Sequence, residues 1–489
     1  MVPCESSHNG IWKERKDMTF LKQFTGACVL LILAATSVQA DVQLPAIIAE
    51  NMVLQRDQVL PIWGKADPGE QVTVKQGNQT ATTTTNADGR WLVKLPAMKA
   101  GGPHTLTISG KNTITLKNIL IGEVWICSGQ SNMEWAMKNV NNAKQEISTA
   151  DHPQIRLFHV QHKRSSTELD DLAGGWNECT PKSVPDFSAV AYFFGRYLHK
   201  HLDVPVGVIE TAWGGTPAEK WTPPSMFNAV PSLLKTADHP YAREAMSERS
   251  VLYNGMVAPL IPFAIRGAIW YQGESNVSMG RHYRKLFSGM ITGWRNEWKQ
   301  GDFPFLYVQI APWNYRQVKE WPQNGCLLVR EAQLKTLALK NTAMAVTMDI
   351  GNVKDIHPRN KQDVGKRLGL AARAIAYGEK LVYSGPIYKS MKSDGRRIVL
   401  HFDHIGDGLV AKGGPLTTFQ IAGADRKFVE ATARIEGNSI VVYSAQVAKP
   451  SAVRFAWSDT AIPNLFNTEN LPASPFRTDS WPVLTVVAE

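Results

Sequence analysis

The chain has 489 residues, 44% hydrophobic and 20% charged, with a formal net charge of +10. That length exceeds one ordinary domain, and that balance of apolar and charged residues excludes a disordered chain. The positive charge is scattered rather than gathered into a Lys/Arg run, which marks a mildly basic protein and argues against nucleic acid as a partner.

Residues 1–40 carry the pattern of a secretory leader. Lys22 precedes an apolar stretch, Ala27 to Ala35, and Val38-Gln39-Ala40 offers a small-residue cleavage site. The expected mature start is Asp41, which places the protein outside the cytoplasm, secreted or periplasmic. Met18 is an alternative start, because the residues before it are charged and lack periodicity. Cys28 stands at the beginning of the apolar stretch rather than after it, which argues against lipidation. No later stretch is long and apolar enough to span a membrane. Residues 41–489 hold 49 basic and 40 acidic side chains, or +9. They retain Cys127, Cys179 and Cys326, which form neither a disulfide framework nor a metal-ligand spacing. Cys127 reads as a buried thiol, and one Cys179–Cys326 bridge is open in an oxidising compartment.

Residues 41–118 read as an all-β domain. Gln71–Val74, Trp91–Leu95 and His104–Ile108 alternate apolar and polar residues, and Asp67-Pro-Gly69, Asn86-Ala-Asp-Gly89 and Ala100-Gly-Gly-Pro103 punctuate them. From 119 to 385 strands alternate with helices: strands at 121–127, 206–210, 266–271, 305–310 and 343–348, helices near 187–202, 282–299, 328–339 and 359–377. In the last helix Val364, Leu368 and Ala372 share one stripe, while Asp363 and Lys366 face outward. That alternation predicts an α/β fold, a parallel sheet in a three-layer α/β/α core. Residues 386–489 return to β patterning, at 397–402, 437–443 and 452–457, and form a second β-sandwich-type unit.

Four polar loops stand at the carboxyl ends of predicted strands, where α/β folds bind ligands. Gly129-Gln-Ser-Asn-Met133 follows an apolar run that ends at Cys127. Trp213-Gly-Gly-Thr216, Gln272-Gly-Glu-Ser-Asn276 and the 349–357 segment, ending in Asp355-Ile-His-Pro358, follow the others. A serine esterase needs a nucleophile, a base and oxyanion donors held together. Ser131 supplies the hydroxyl and His357 the imidazole. Gly214 or Gly215 offers an amide with no Cβ in the way, and Gln272 or Asn276 offers a side-chain donor. Taken singly, each has a plainer role: a serine is a common cap, Glu274 a solvated acid, and a His before Pro a loop residue. Their coincidence in one α/β array carries the hydrolase reading.

The set Gly122-Glu-Val-Trp125, Gly129-Gln-Ser-Asn-Met-Glu134, Trp213-Gly-Gly-Thr216, Trp270-Tyr-Gln-Gly-Glu-Ser-Asn276 and Asp355-Ile-His-Pro358 resembles the sialate O-acetylesterase family of the SGNH hydrolase superfamily. Met52-Val-Leu-Gln55 and Pro472–Asp479 extend the resemblance over most of the chain after residue 40. The resemblance implies a flavodoxin-like core and a catalytic domain at 119–385. It implies Ser131 as nucleophile and His357 as base, with an oxyanion hole of Ser131, Gly215 and Gln272. Gln130, Asn132 and Glu274 are expected to bind substrate. The chain departs from the superfamily pattern in two places. The third block reads Gly273-Glu-Ser-Asn276 where Gly-x-Asn-Asp is usual. Lys354, not an acid, stands three residues before His357. Asp355 is then the candidate orienting acid, with Asp349, Glu274 or a backbone carbonyl as alternatives.

The expected activity is release of acetate from O-acetylated sugars through an acetyl-serine, with no metal or organic cofactor. Acetylated sialic acids and plant polysaccharides such as xylan or xyloglucan are both open as substrates. Arg330 or Arg359 is a candidate partner for a sialate carboxylate. The 217–250 segment, with Trp221, His239 and Arg243, reads as a surface loop beside the site. A non-catalytic carbohydrate-binding protein and an esterase for other small acyl esters are the alternative readings.

Overall fold

A computed structural model describes residues 41–234, 240–319 and 321–483. The leader expected at 1–40 and His239 lie outside them.

The core sheet is built from β2 (Thr113–Gly129), β3 (His152–His159), β4 (Trp176–Cys179), β5 (Val206–Ala212), β6 (Gly267–Tyr271), β7 (Phe305–Val308) and β8 (Thr342–Ala345). A short strand, β1 (Val53–Gln55), adds to the first half of β2. The order across the sheet is β8-β7-β6-β2-β5-β3-β4. Every pair is parallel except β3 with β4. Helices cover both faces, so the central strands are buried on both sides and read as continuous apolar runs. β2 is buried from Ile119 to Gly129.

Alternate residues feed two cores. Trp125, Cys127, Ile269 and Tyr271 pack with α2 (Ala189–Leu202) and α5 (Lys361–Ile375). Val124, Ile126, Ala268 and Trp270 pack with α3 (Gly280–Trp298) and α4 (Gly325–Thr336). The stripe Val364, Leu368 and Ala372 expected on the last helix is buried. This layering also decides the open disulfide. Cys179 belongs to the core under α2 and Cys326 to the core on the opposite face of the sheet. All three cysteines are free and buried, so the Cys179–Cys326 bridge does not form.

The change from β to α/β patterning at 118/119 falls inside one 17-residue strand, β2. Its first residues pair antiparallel with the strand Gly101–Ser109 of the N-terminal β unit. Beyond Asn118, which turns the strand with φ 59°, residues 123–129 pair with β5 and residues 125–129 also with β6. Buried Glu123 anchors that passage. Its carboxylate pairs with Arg56 and with Arg266 (2.7 Å) and accepts from Gln55, whose own Oε1 takes the Val124 amide (2.8 Å). The Gly122-Glu-Val-Trp and Met-Val-Leu-Gln motifs thus hold each other. Residues 387–477 form two four-stranded antiparallel sheets and a two-stranded ribbon.

Two expected strands stop early, β7 at Val308 and β8 at Ala345. Side chains there take over backbone groups of the chain beyond them: Thr347 Oγ1 donates to the Gln309 carbonyl (2.7 Å), and Gln333 accepts the Ile310 amide (3.1 Å).

Candidate active site

From β2 the chain builds one side of the sheet through β3, β4 and β5, then crosses to β6, β7 and β8. The reversal leaves a crevice at the carboxyl end of β2, the usual ligand position in open α/β sheets. Three strands end there at one level, with Gly129 opposite Ala212 and Tyr271. Gly129 has φ +145°, and a Cβ would lie 2.2 Å from the Tyr271 carbonyl oxygen. Only glycine fits between strands this close. The chain then turns into a four-residue helix, α1 (Ser131–Glu134), whose first residue is Ser131.

His357 Nε2 lies 2.8 Å from Ser131 Oγ, although the two are 226 residues apart. The imidazole stacks on Trp135, with centroids 4.8 Å apart and planes 16° from parallel. Burial pushes its pKa below the usual histidine value. The Lys361 ammonium adds to that shift and Asp355 opposes it. The imidazole is therefore neutral near pH 7, the state a general base requires.

Among the candidate orienting acids the structure separates three cases. Asp349 makes a two-pronged ion pair with Arg367 (2.7 and 2.6 Å). Glu274 accepts from Asn132 (2.7 Å). Asp355 Oδ1 accepts the backbone N–H of His357 (2.9 Å) and lies 3.8 Å from Nδ1. That separation is too long for a hydrogen bond and short enough for a strong charge interaction.

The second loop lies against Ser131. A Cβ on Gly214 would stand 3.3 Å from the Ser131 Cβ, and the Gly214 amide donates to Glu134 Oε2 (2.6 Å). Gly215 adopts φ +70°, and nothing lies within 4 Å of where its Cβ would be, so it faces open space. The first amide of α1, at Ser131, has no partner within that helix. Glu134 Oε1 is also 3.0 Å from His162 Nε2, and the His162 ring stacks on Trp213 at 4.1 Å. Sequence reasoning assigned no role to Glu134 or Trp135. Their signal was proximity, since both follow Ser131 within four residues.

Most of the remaining candidate residues are buried. Gln272 is fully buried, and its Nε2 donates to Asn276 Oδ1 (2.6 Å) and the Thr216 carbonyl (3.3 Å), while Oε1 accepts from Tyr283 (3.0 Å). Both amide hydrogens are committed, so the side chain braces the second loop. Asn276 is equally committed, bonding Glu219 (2.9 Å) and the Ala218 amide (2.9 Å). Asn132, Glu274 and Gln130 are also buried. Asn132 bonds Glu274, Lys361 and the Ile356 carbonyl, and Gln130 Oε1 accepts the Ser275 amide (3.2 Å). These three side chains bond neighbouring loops to one another. Arg330 is buried and spends its guanidinium on the carbonyls of Ile310, Ala311, Ser458 and Asp459, so it meets no carboxylate from solvent. Arg359 is exposed. Trp221 is core rather than surface loop, with Nε1 on Thr216 Oγ1 (2.9 Å), while Arg243 is exposed.

Among the described residues no group of three His, Cys, Asp or Glu side chains is arranged to hold a metal ion, and no helix is long and apolar enough to cross a membrane.

Comparison with known proteins gives three findings. Residues 121–374 match the family model described as carbohydrate esterase, sialic acid-specific acetylesterase. Sialate O-acetylesterase of Rattus norvegicus is 31% identical over 92% of this chain and 97% of its own length, and that of Homo sapiens is 34% identical over 73% and 76%. The crystal structure of a carbohydrate acetylesterase from Xanthomonas citri superposes with a TM-score of 0.84 at 40% identity, covering 90% of this chain and all of that one.

Proposed function

The chain belongs to the sialic acid-specific acetylesterase family of carbohydrate esterases and is a carboxylic ester hydrolase; on that premise we propose that it releases acetate from O-acetylated sugars through an acetyl-serine at Ser131. Family membership removes the non-catalytic sugar-binding alternative. The observation that carries the mechanism is the 2.8 Å contact between Ser131 Oγ and His357 Nε2.

Ser131 Oγ attacks the acetyl carbonyl carbon while His357 Nε2 takes its proton. The carbonyl oxygen becomes an oxyanion on the amides of Ser131 and Gly215. Each such donor is worth roughly two to three orders of magnitude in rate. The tetrahedral species collapses, the sugar oxygen leaves, and the imidazolium returns the proton to it. Water, deprotonated by His357, then attacks acetyl-Ser131; acetate departs and the imidazolium returns the proton to Ser131 Oγ. Asp355 stabilises the imidazolium by its charge, and its bond to the His357 amide fixes the loop. Trp135 holds the ring plane. Glu134 sets the Gly214-Gly215 turn by accepting the Gly214 amide. The open space at Gly215 leaves room for a sugar ester.

Acetylated sialic acids are the first substrate class to test and acetylated xylan or xyloglucan fragments the second. Acetate release from both sets, by wild type and Ser131→Ala, tests the proposal. Wild-type turnover on at least one set and none by the variant is expected; a fully active variant overturns it. The leader pattern at 1–40 supports export with cleavage after Ala40, which N-terminal sequencing of the exported protein checks.

A further inference from the structure

Lys361 breaks two local rules at once. It is the first residue of α5, where the helix dipole disfavours a cation, and its side chain is fully buried. Local helix stability gives no reason for it, since Asn360 already caps the helix by accepting the Asp363 amide (3.1 Å). A residue that costs stability without local benefit marks a functional constraint.

Its contacts indicate which constraint. Lys361 Nζ donates to Asn132 Oδ1 (2.5 Å). Asn132 follows Ser131 directly. Its Nδ2 donates to Glu274 Oε1 (2.7 Å) and to the carbonyl of Ile356 (3.0 Å), the residue before His357. One buried amide therefore touches the loops after β2, β6 and β8 and the start of α5. Nζ also lies 5.1 Å from the Tyr271 ring centroid and 5.9 Å from that of Trp135, the ring on which His357 stacks.

We propose that Lys361 is a positioning residue of the Ser131–His357 pair: through Asn132 it ties the loop carrying the base to the loop carrying the nucleophile. This rests on the reading of Ser131 and His357 as nucleophile and base. The arrangement answers a gap in the site, where among the described residues no carboxylate reaches His357 Nδ1 within hydrogen-bond distance. The imidazole is instead located from behind, by its backbone and by Trp135. Lys361 has a second effect through charge. The charged groups acting on His357 among the described residues are Asp355 on its own loop and Lys361 on α5, and Glu274, on the loop after β6, acts on Lys361. Burial lowers the Lys361 pKa to about 7 while Glu274 and Asp355 oppose the fall, so the ammonium is present on the acid side of neutrality. There it depresses the His357 pKa and keeps the base neutral to lower pH.

The test compares Lys361→Met and Asn132→Ala with wild type, measuring kcat, KM and the pH profile of kcat/KM on a chromogenic acetate ester. Ser131→Ala serves as the inactive reference. Asn132→Ala cuts the tie and leaves the Lys361 charge, so kcat falls roughly 10- to 100-fold with KM nearly unchanged and the acid limb stays in place. Lys361→Met lowers kcat likewise and also moves the midpoint of the acid limb to higher pH. The double variant loses no more than the worse single one, because both cut the same link. Wild-type kcat in Asn132→Ala, or an unmoved acid limb in folded Lys361→Met, overturns the proposal. Should Lys361→Met fail to fold, Asn132→Ala alone decides the tie. An active Ser131→Ala instead overturns the underlying reading.

Discussion

Replacing Asp355 by asparagine isolates the charge that acts on His357. Asparagine keeps an acceptor for the His357 amide, now 2.9 Å from Asp355 Oδ1. What disappears is a negative charge 3.8 Å from Nδ1. At that distance a charge pair is worth about 1 kcal/mol in bulk water and about 4 kcal/mol at the effective dielectric of a protein surface. The Asp355 side chain is 41% exposed, so solvent screens the interaction toward the lower figure. The expected loss is about 1–2 kcal/mol of imidazolium stabilisation, or roughly 5- to 30-fold in kcat/KM. Asp355 raises the pKa of His357, so its removal also moves the acid limb of the pH profile to lower pH, opposite to Lys361→Met. Steady-state rates on a chromogenic acetate ester from pH 4.5 to 8 (about half-unit steps) read both effects. A loss near 10⁴-fold, as for a triad aspartate bonded directly to its histidine, contradicts the reasoning. An unchanged rate contradicts it from the other side, by making Asp355 a surface acid.

The remaining predictions concern the frame and the turn. Glu123→Ala leaves Arg56 and Arg266 without their shared carboxylate; unfolding in denaturant should show a loss of about 3–5 kcal/mol. Glu134→Ala frees the Gly214 amide, so kcat should fall about tenfold or more while the melting temperature barely changes; an equal fall in stability would mark a structural role only. Cys127, Cys179 and Cys326 are buried with raised pKa values, Cys179 and Cys326 to about 12, so a thiol reagent should titrate them only after denaturation.

The strands and helices of the core were legible because their apolar periodicity is strong, and the meeting of Ser131 with His357 because both stand in loops at strand ends. Gln272, Asn132 and Glu274 were assigned to substrate or oxyanion for the same reason, their place in those loops. Sequence position does not tell whether a loop side chain faces out or is buried, and these three are buried and bonded to neighbouring side chains. Glu123 was visible as part of a motif, but its two arginine partners come from Arg56 and Arg266, far apart in the chain. Lys361 has no mark in the sequence, since its burial depends on how α5 lands against Tyr271 and Trp135. The disulfide was open in the sequence because spacing carries no information on which face of a sheet a cysteine occupies.

The central claim is a covalent acetyl-serine. Mixing the enzyme with an acetate ester, quenching in acid within one turnover and mapping the peptides by mass spectrometry tests it most directly. The account predicts one added acetyl group on the peptide containing Ser131, absent from Ser131→Ala. Rapid turnover with no acetylated Ser131 peptide, or acetyl found on another residue, would contradict it.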